Sequence, residues 1–203
     1  MGSFNQPNVS DIGKEFFAKF FDPSFYVPEL GEYNGTSKQY MTFQTMNEVN
    51  AYKHLESLQG SGVPRFFGHY KYMKDAEELI DVILLEKINA PSCATLQGLD
   101  FPQIKRLSQG LIRHIHSCGV LHNDIATRNM FWDFHGRGLI ICDFSAANTF
   151  GNDDINKEWV IELKGRDTIF MEFAVMEMTQ SQKQEKPGKV LEPMDSDGVK
   201  LWS

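Results

Sequence analysis

A chain of 203 residues can bury a sizeable core, and 41% hydrophobic with 23% charged residues is globular usage, which excludes a disordered or fibrous polymer. A net charge of -7 and a pI near 5.4 argue against a nucleic-acid-binding surface, although a local basic cleft is compatible with an acidic protein. No apolar run approaches the roughly 20 residues of a membrane span. The cysteines Cys93, Cys118 and Cys142 lack paired spacing and MGSFNQPNVS lacks a signal-peptide core, so an intracellular, cytoplasmic protein with reduced thiols, engaging neither membrane nor nucleic acid, is expected.

In chain order, residues 1–12 are polar and read as a loose arm, and 15–21 (EFFAKFF) form an aromatic strand with Lys19 at its centre, stopped by Asp22-Pro23. A lysine there is either the exposed position of a half-buried strand or a functional cation, and Lys38, in the Gly-, Pro- and Tyr-containing connection 24–41, is its rival. Thr42 or Thr45 then caps a helix running to about Leu58, with Met46, Val49, Tyr52, Leu55 and Leu58 on its apolar stripe. Glu48 falls in the first turn of that helix, where the dipole favours a carboxylate. A short strand begins at 63–68, Tyr70 and Tyr72 lead into a polar turn, and 81–86 (DVILLE) form a buried strand that ends in Glu86-Lys87-Ile88. From Pro102, the positions Ile104, Leu107, Leu111, Ile112 and Ile115 mark an amphipathic helix ending near Cys118-Gly119. His114, His116, Cys118 and His122 are metal-ligand types, but their two-residue spacings do not share a helix face, so no zinc site is expected.

Residues 116–147, HSCGVLHNDIATRNMFWDFHGRGLIICDFSAA, carry the chemistry. His122, Asp124 and Asn129 stand at H-x-D-x-x-x-x-N, and Asp143-Phe144 follows the apolar run Leu139-Ile140-Ile141-Cys142. Residues 130–132 and 139–142 predict a strand hairpin around Asp133, Gly136 and Gly138, which returns Asp143 to the side of Asn129. Phosphoryl transfer is largely positioning and charge neutralisation, so it needs one carboxylate at the acceptor hydroxyl and separate oxygen ligands for Mg²⁺. Asp124 suits the first need, Asn129 and Asp143 the second, and Arg128 offers a cation near the transferred phosphate.

This order of motifs resembles the protein-kinase superfamily: HNDIATRN is similar to the HRDLAARN form of the catalytic loop, and Asp143-Phe144-Ser145 stands where D-F-G is usual. The resemblance implies an α+β, two-lobed protein-kinase-like fold with a truncated N-lobe sheet and a reduced helical C-lobe. Residues 1–88 would form the N-lobe with its loose arm, 89–180 a minimal C-lobe with the catalytic loop, and 181–203 a flexible tail. It further implies ATP and Mg²⁺ as cofactors and a hydroxyl acceptor or protein partner. Lys19 would contact the α- and β-phosphates and pair with Glu48. Glu86 C=O and Ile88 N–H would contact adenine, with Leu85 behind it and the Glu86 side chain idle. Asp167, at the start of a helix expected over 167–178 after the apolar run 159–163, is read as an N-cap, or else as the acid that anchors the catalytic loop from below.

Two departures bear on function. Nothing like G-x-G-x-x-G precedes Lys19 and no A-P-E follows Asp143, so a flap over the phosphates and a peptide-docking lobe are not expected. The alternative reading is therefore a pseudokinase that binds nucleotide or a partner without turnover; a third is a piece of a longer kinase. Asn123, where an Arg commonly meets a phosphorylated activation loop, implies no such switch.

Overall fold

FFAKFF forms strand β1, Phe16–Phe21, in the computed structural model, which describes residues 15–25, 36–74, 78–96 and 101–180. The expected arm at 1–12, most of the 24–41 connection and the 181–203 tail lie outside those residues. β1 runs antiparallel to β3, Leu79–Glu86, whose other edge carries β2, Phe66–Met73. Side chains alternate across a sheet, so Phe17, Lys19 and Phe21 share one face with their register partners Leu85, Ile83 and Asp81. Tyr70 and Tyr72 belong to β2 and not to a turn, because pairing with β3 continues as far as Met73.

Helix α1, Ser37–His54, starts well before the expected Thr42 or Thr45. Its cap is Thr36, whose hydroxyl accepts the Gln39 N–H while the Gln39 side chain accepts the Thr36 N–H, a reciprocal box that satisfies two orphan donors. Its first three residues, Ser37, Lys38 and Gln39, are polar, so the apolar stripe that signalled the helix begins after the start. Glu48 consequently lies mid-helix and not in the first turn, and it is fully buried. Val49, Tyr52, Leu55 and Leu58 are buried as expected, whereas Met46 is exposed. Lys38 also lies on α1, where it is exposed and lines a small cavity with Phe21, Ile80 and Asp81 of the sheet.

Helix α2, Phe101–Ser117, buries Ile104, Ile112 and Ile115 and leaves Leu107 37% exposed. It ends at Gly119, whose φ of 77° favours glycine and where a Cβ would lie 2.5 Å from the Phe150 carbonyl. The chain then passes through β4 (Val120–Leu121), the hairpin β5–β6 (Met130–Asp133 and Gly138–Ile141) and β7 (Asn148–Thr149), which pairs with β4. One hydrophobic cluster joins Tyr52 of α1, Ile83 of β3, Ile112 of α2 and Ile141 of β6, so the sheet and the helical part share a core.

Helix α3 is a single element, Glu158–Gln180, covering both the 159–163 run and the expected 167–178 helix. The Lys164-Gly165-Arg166 interruption does not break it, since all three lie off the buried face. Asp167 is therefore mid-helix and not an N-cap. The helix buries Asp167, Met171, Ala174, Val175 and Met178, whereas the apolar Ile169, Phe170, Phe173 and Met176 are exposed.

Candidate functional site

The loop between β4 and β5 is built around one buried acid. Asp167 Oδ2 accepts the His122 N–H at 2.7 Å and Oδ1 the Asn123 N–H at 2.9 Å, while His116 Nε2 lies 3.1 Å from Oδ2. Two consecutive amides held by one carboxylate turn the chain sharply, and Asn123 takes up a φ of 63°, a region that short polar side chains tolerate. The Asn123 side chain donates to the Ala146 carbonyl at 2.9 Å and to Asn148 Oδ1 at 2.7 Å, so it fastens the segment after Asp143 directly.

His122, fully buried, links the two halves of the site. Its Nδ1 accepts the Asp124 N–H at 3.2 Å, which leaves Nε2 to donate to the Cys142 carbonyl at 3.0 Å. Burial lowers its pKa, in keeping with this neutral tautomer. Its ring lies 4.7 Å from Phe144, which meets Tyr52 edge-on at 5.4 Å, and Tyr52 stacks on Phe66 at 5.6 Å. This aromatic column ties the loop to α1 and the sheet.

Asp143, at the end of the hairpin with a φ of 64°, is met by Lys19 of β1: Nζ donates to Asp143 Oδ1 at 2.7 Å and to Glu48 Oε2 at 2.8 Å. Burial works to lower the pKa of Lys19, but Glu48 and Asp143 together outweigh it and raise the value. Burial pushes the other way on Asp143, yet Lys19 and the bond from Ser145 Oγ (2.7 Å) hold its carboxyl below the ordinary range. Ser145, in the place of a glycine, thus contributes a bond to the acid.

Burial drives Glu48 up to about 7, with Lys19 only partly offsetting it. Among the described residues its Oε1 makes no hydrogen bond of normal geometry, although the Phe144 amide favours the charged form. A carboxyl with a raised folded pKa contributes stability below its unfolded value of 4.5 and loses it as pH rises through about 7. Between pH 5 and 8.5 the thermal midpoint of the wild type is therefore expected to fall relative to that of Glu48→Gln. Parallel curves would rule out a titrating Glu48; the comparison cancels His122, whose lowered pKa acts in the opposite direction.

Lys19, Glu48, Leu85, Glu86, Ile88, Asn129 and Asp143 all line one cavity of about 480 Å³, together with Phe17, Pro64 and Phe131. Asp124 stands beside it, joined through Asn129, whose Nδ2 donates to Asp124 O and Oδ2, each at 2.9 Å. Arg128 Nη2 contacts the other carboxylate oxygen of Asp124, so the expected cation lies against the acid. The structure brings every sequence-derived site residue to this place except Lys38. Sequence reasoning missed Arg137, which reaches Glu86; of its two readings of Asp167, the N-cap is not formed, because the apolar run before it belongs to the same helix, and the acid instead holds the loop backbone at His122 and Asn123.

The donor set fits a hard cation. Asp143 receives its bonds on Oδ1, leaving Oδ2, and Asn129 spends its amide nitrogen on Asp124, leaving Oδ1. Among the described residues no three His, Cys, Asp or Glu side chains form a closed cage, but Mg²⁺ is commonly held by one or two protein oxygens plus water and phosphate.

The chain thus has an α+β fold with a lysine–dicarboxylate cluster lining a cavity beside an H-x-D-x-x-x-x-N loop, and its order of motifs resembles the protein-kinase superfamily. No family model and no curated protein matches the chain. Among solved structures it is similar to the Cydia pomonella granulovirus kinase PK-1, at 12% identity and a TM-score of 0.47 over 68% of this chain and 45% of that one. It is also similar to the Rio2 kinase of Chaetomium thermophilum, solved as an ADP/Mg²⁺-phosphoaspartate complex, at 15% identity and a TM-score of 0.49 over 73% and 44%. The chain thus spans less than half the length of either kinase.

Proposed function

We propose that the protein is an ATP- and Mg²⁺-dependent phosphotransferase of protein-kinase type, moving the γ-phosphate to a hydroxyl acceptor, with protein Ser, Thr or Tyr among the candidates. The observation that carries this reading is the contact of Lys19 Nζ with both Glu48 and Asp143, at 2.8 and 2.7 Å, in the wall of a cavity whose rim is Glu86 to Ile88. Lys19 binds the α- and β-phosphates and Glu48 holds it in place. The Glu86 carbonyl and Ile88 amide take the adenine edge against Leu85. Asn129 and Asp143 supply oxygens to Mg²⁺, which neutralises phosphate charge when bound. Asp124 orients the acceptor hydroxyl and takes its proton. On this reading 1–88 and 89–180 are two reduced lobes that share the cavity.

One observation favours a second reading, a nucleotide-binding module without turnover. Both carboxylate oxygens of Asp124 are engaged, Oδ1 by Arg128 and Oδ2 by the Asn129 amide, so an acceptor hydroxyl has to share or displace one of these donors to reach the acid. Thermal-shift titration with ATP and Mg²⁺, run beside a phosphate-release and autophosphorylation assay, separates the two. At a ligand concentration 100 times Kd, stabilisation of about 2.7 kcal/mol, or about 5–10 °C at this size, is expected. Metal-dependent stabilisation with turnover supports the phosphotransferase, and the same shift without turnover supports the module. Absence of any shift sinks both.

A further inference from the structure

Arg137 lies in the turn between β5 and β6 and is not among the residues lining the cavity, yet its guanidinium bonds to Glu86, which is, and to the loop just before Pro64. Nη1 donates to Glu86 Oε1 at 2.6 Å, Nε to the Ser61 carbonyl at 3.2 Å and Nη2 to the Val63 carbonyl at 3.3 Å. The remaining oxygen of Glu86, Oε2, accepts the Arg65 N–H at 3.1 Å, and the Glu86 N–H returns a bond to the Arg65 carbonyl at 2.8 Å. The side chains of Arg137 and Glu86 keep 23% and 25% of their surface exposed, so the contact is partly shielded from water. A planar guanidinium satisfies three acceptors in fixed directions, which an ammonium does not.

The Glu86 side chain is therefore not idle. Its backbone opens the 86–88 strip on the cavity rim, and its carboxylate is clamped at both oxygens by groups from two separate segments. Nearby, the Ile141 N–H donates to the Gly62 carbonyl at 2.9 Å, so β6 is tied to the same loop by backbone as well. We infer that Arg137 is a positioning residue for base binding: through Glu86 it fixes the backbone of 86–88 relative to the hairpin that carries Asp143. This rests on the nucleotide reading above. Freed from Arg137, the strip gains conformations that misalign the Glu86 carbonyl and Ile88 amide for the flat edge of a base, while the phosphate end at Lys19 is untouched.

The test compares ATP with inorganic tripolyphosphate, both with Mg²⁺, by calorimetry on wild type, Arg137→Met and Arg137→Lys. Arg137→Met is expected to weaken ATP about five- to tenfold, the order of one or two lost hydrogen bonds, and to leave tripolyphosphate within about twofold. Arg137→Lys, which keeps a charge for Glu86 but not the carbonyl bonds, is expected to fall between, and it carries the comparison if the Met variant does not fold. Equal weakening of both ligands, or unchanged ATP affinity, overturns the inference. If the wild type binds neither ligand, the nucleotide reading is what fails, and amide exchange decides the clamp by itself. Faster exchange at Arg65 and Glu86 in the variants then supports a fixed strip, and unchanged exchange overturns it.

Discussion

Replacing Asp124 by Ala is expected to cut phosphate transfer by about 10²–10⁴-fold, the usual contribution of a positioned general base, while the thermal shift with ATP and Mg²⁺ persists. The separation follows from placement. Asp124 stands beside the cavity, and the residues assigned to nucleotide, Lys19, Glu86, Ile88 and Asp143, do not depend on its carboxylate for a hydrogen bond. Asn129 loses its bond to Oδ2 but keeps the one to the Asp124 carbonyl, which is backbone and survives the change. Single-turnover measurement of labelled phosphate reads the effect directly. A loss under tenfold would remove Asp124 from the chemical step and leave the binding module as the better account; a vanished thermal shift would instead mean that the loop had collapsed.

The largest effect on stability is expected at Asp167. Its side chain is fully buried and takes hydrogen bonds from two successive backbone amides, with His116 as a third partner. Asp167→Ala leaves those donors buried without an acceptor, at a cost of about 3–5 kcal/mol, the range for breaking a buried charged network. In a protein of this size that is roughly 10 °C or more in Tm. Asp167→Asn keeps one acceptor oxygen and is expected to lose less. Urea unfolding of the three proteins measures the difference, and a penalty below about 1 kcal/mol would show that the loop is held by something else. Because His122 and Asn123 sit at the start of the loop that ends in Asn129, the same substitution is expected to lower transfer as well.

The part of the site legible in the sequence was the part where spacing is itself the constraint. Asp124, Asn129 and Asp143 fall close together because a tight hairpin returns the chain over a fixed number of residues, and the turn formers Gly136 and Gly138 announce it. Lys19 was legible only as one of two alternatives, since a lysine in an aromatic strand also suits an exposed position, and Lys38 stood as its rival. Helix limits were not, for reasons visible in the residues. α1 opens on Ser37, Lys38 and Gln39, so its cap, Thr36, lies ahead of any apolar signal. On α3 the larger apolar residues Ile169, Phe170 and Phe173 face outward, and the buried stripe is made of an acid, an alanine, a valine and methionines. Hydrophobic periodicity therefore picks the wrong face, and only tertiary packing against α2 selects the other. Arg137 was invisible for a further reason: its partners are two backbone carbonyls and a carboxylate far away in sequence.

The mid-helix position of Glu48 restricts how the lysine can be governed. About three turns of α1 separate it from Ser37, so melting of the leading turn, a local event in a hydrogen-bonded helix, dissipates before reaching the ion pair. A shift of one residue along the axis, by contrast, is 1.5 Å of travel and about 100° of rotation, enough to swing the carboxylate out of reach. A conformational signal that reaches Lys19 through the backbone of α1 must therefore move the helix as a whole rod.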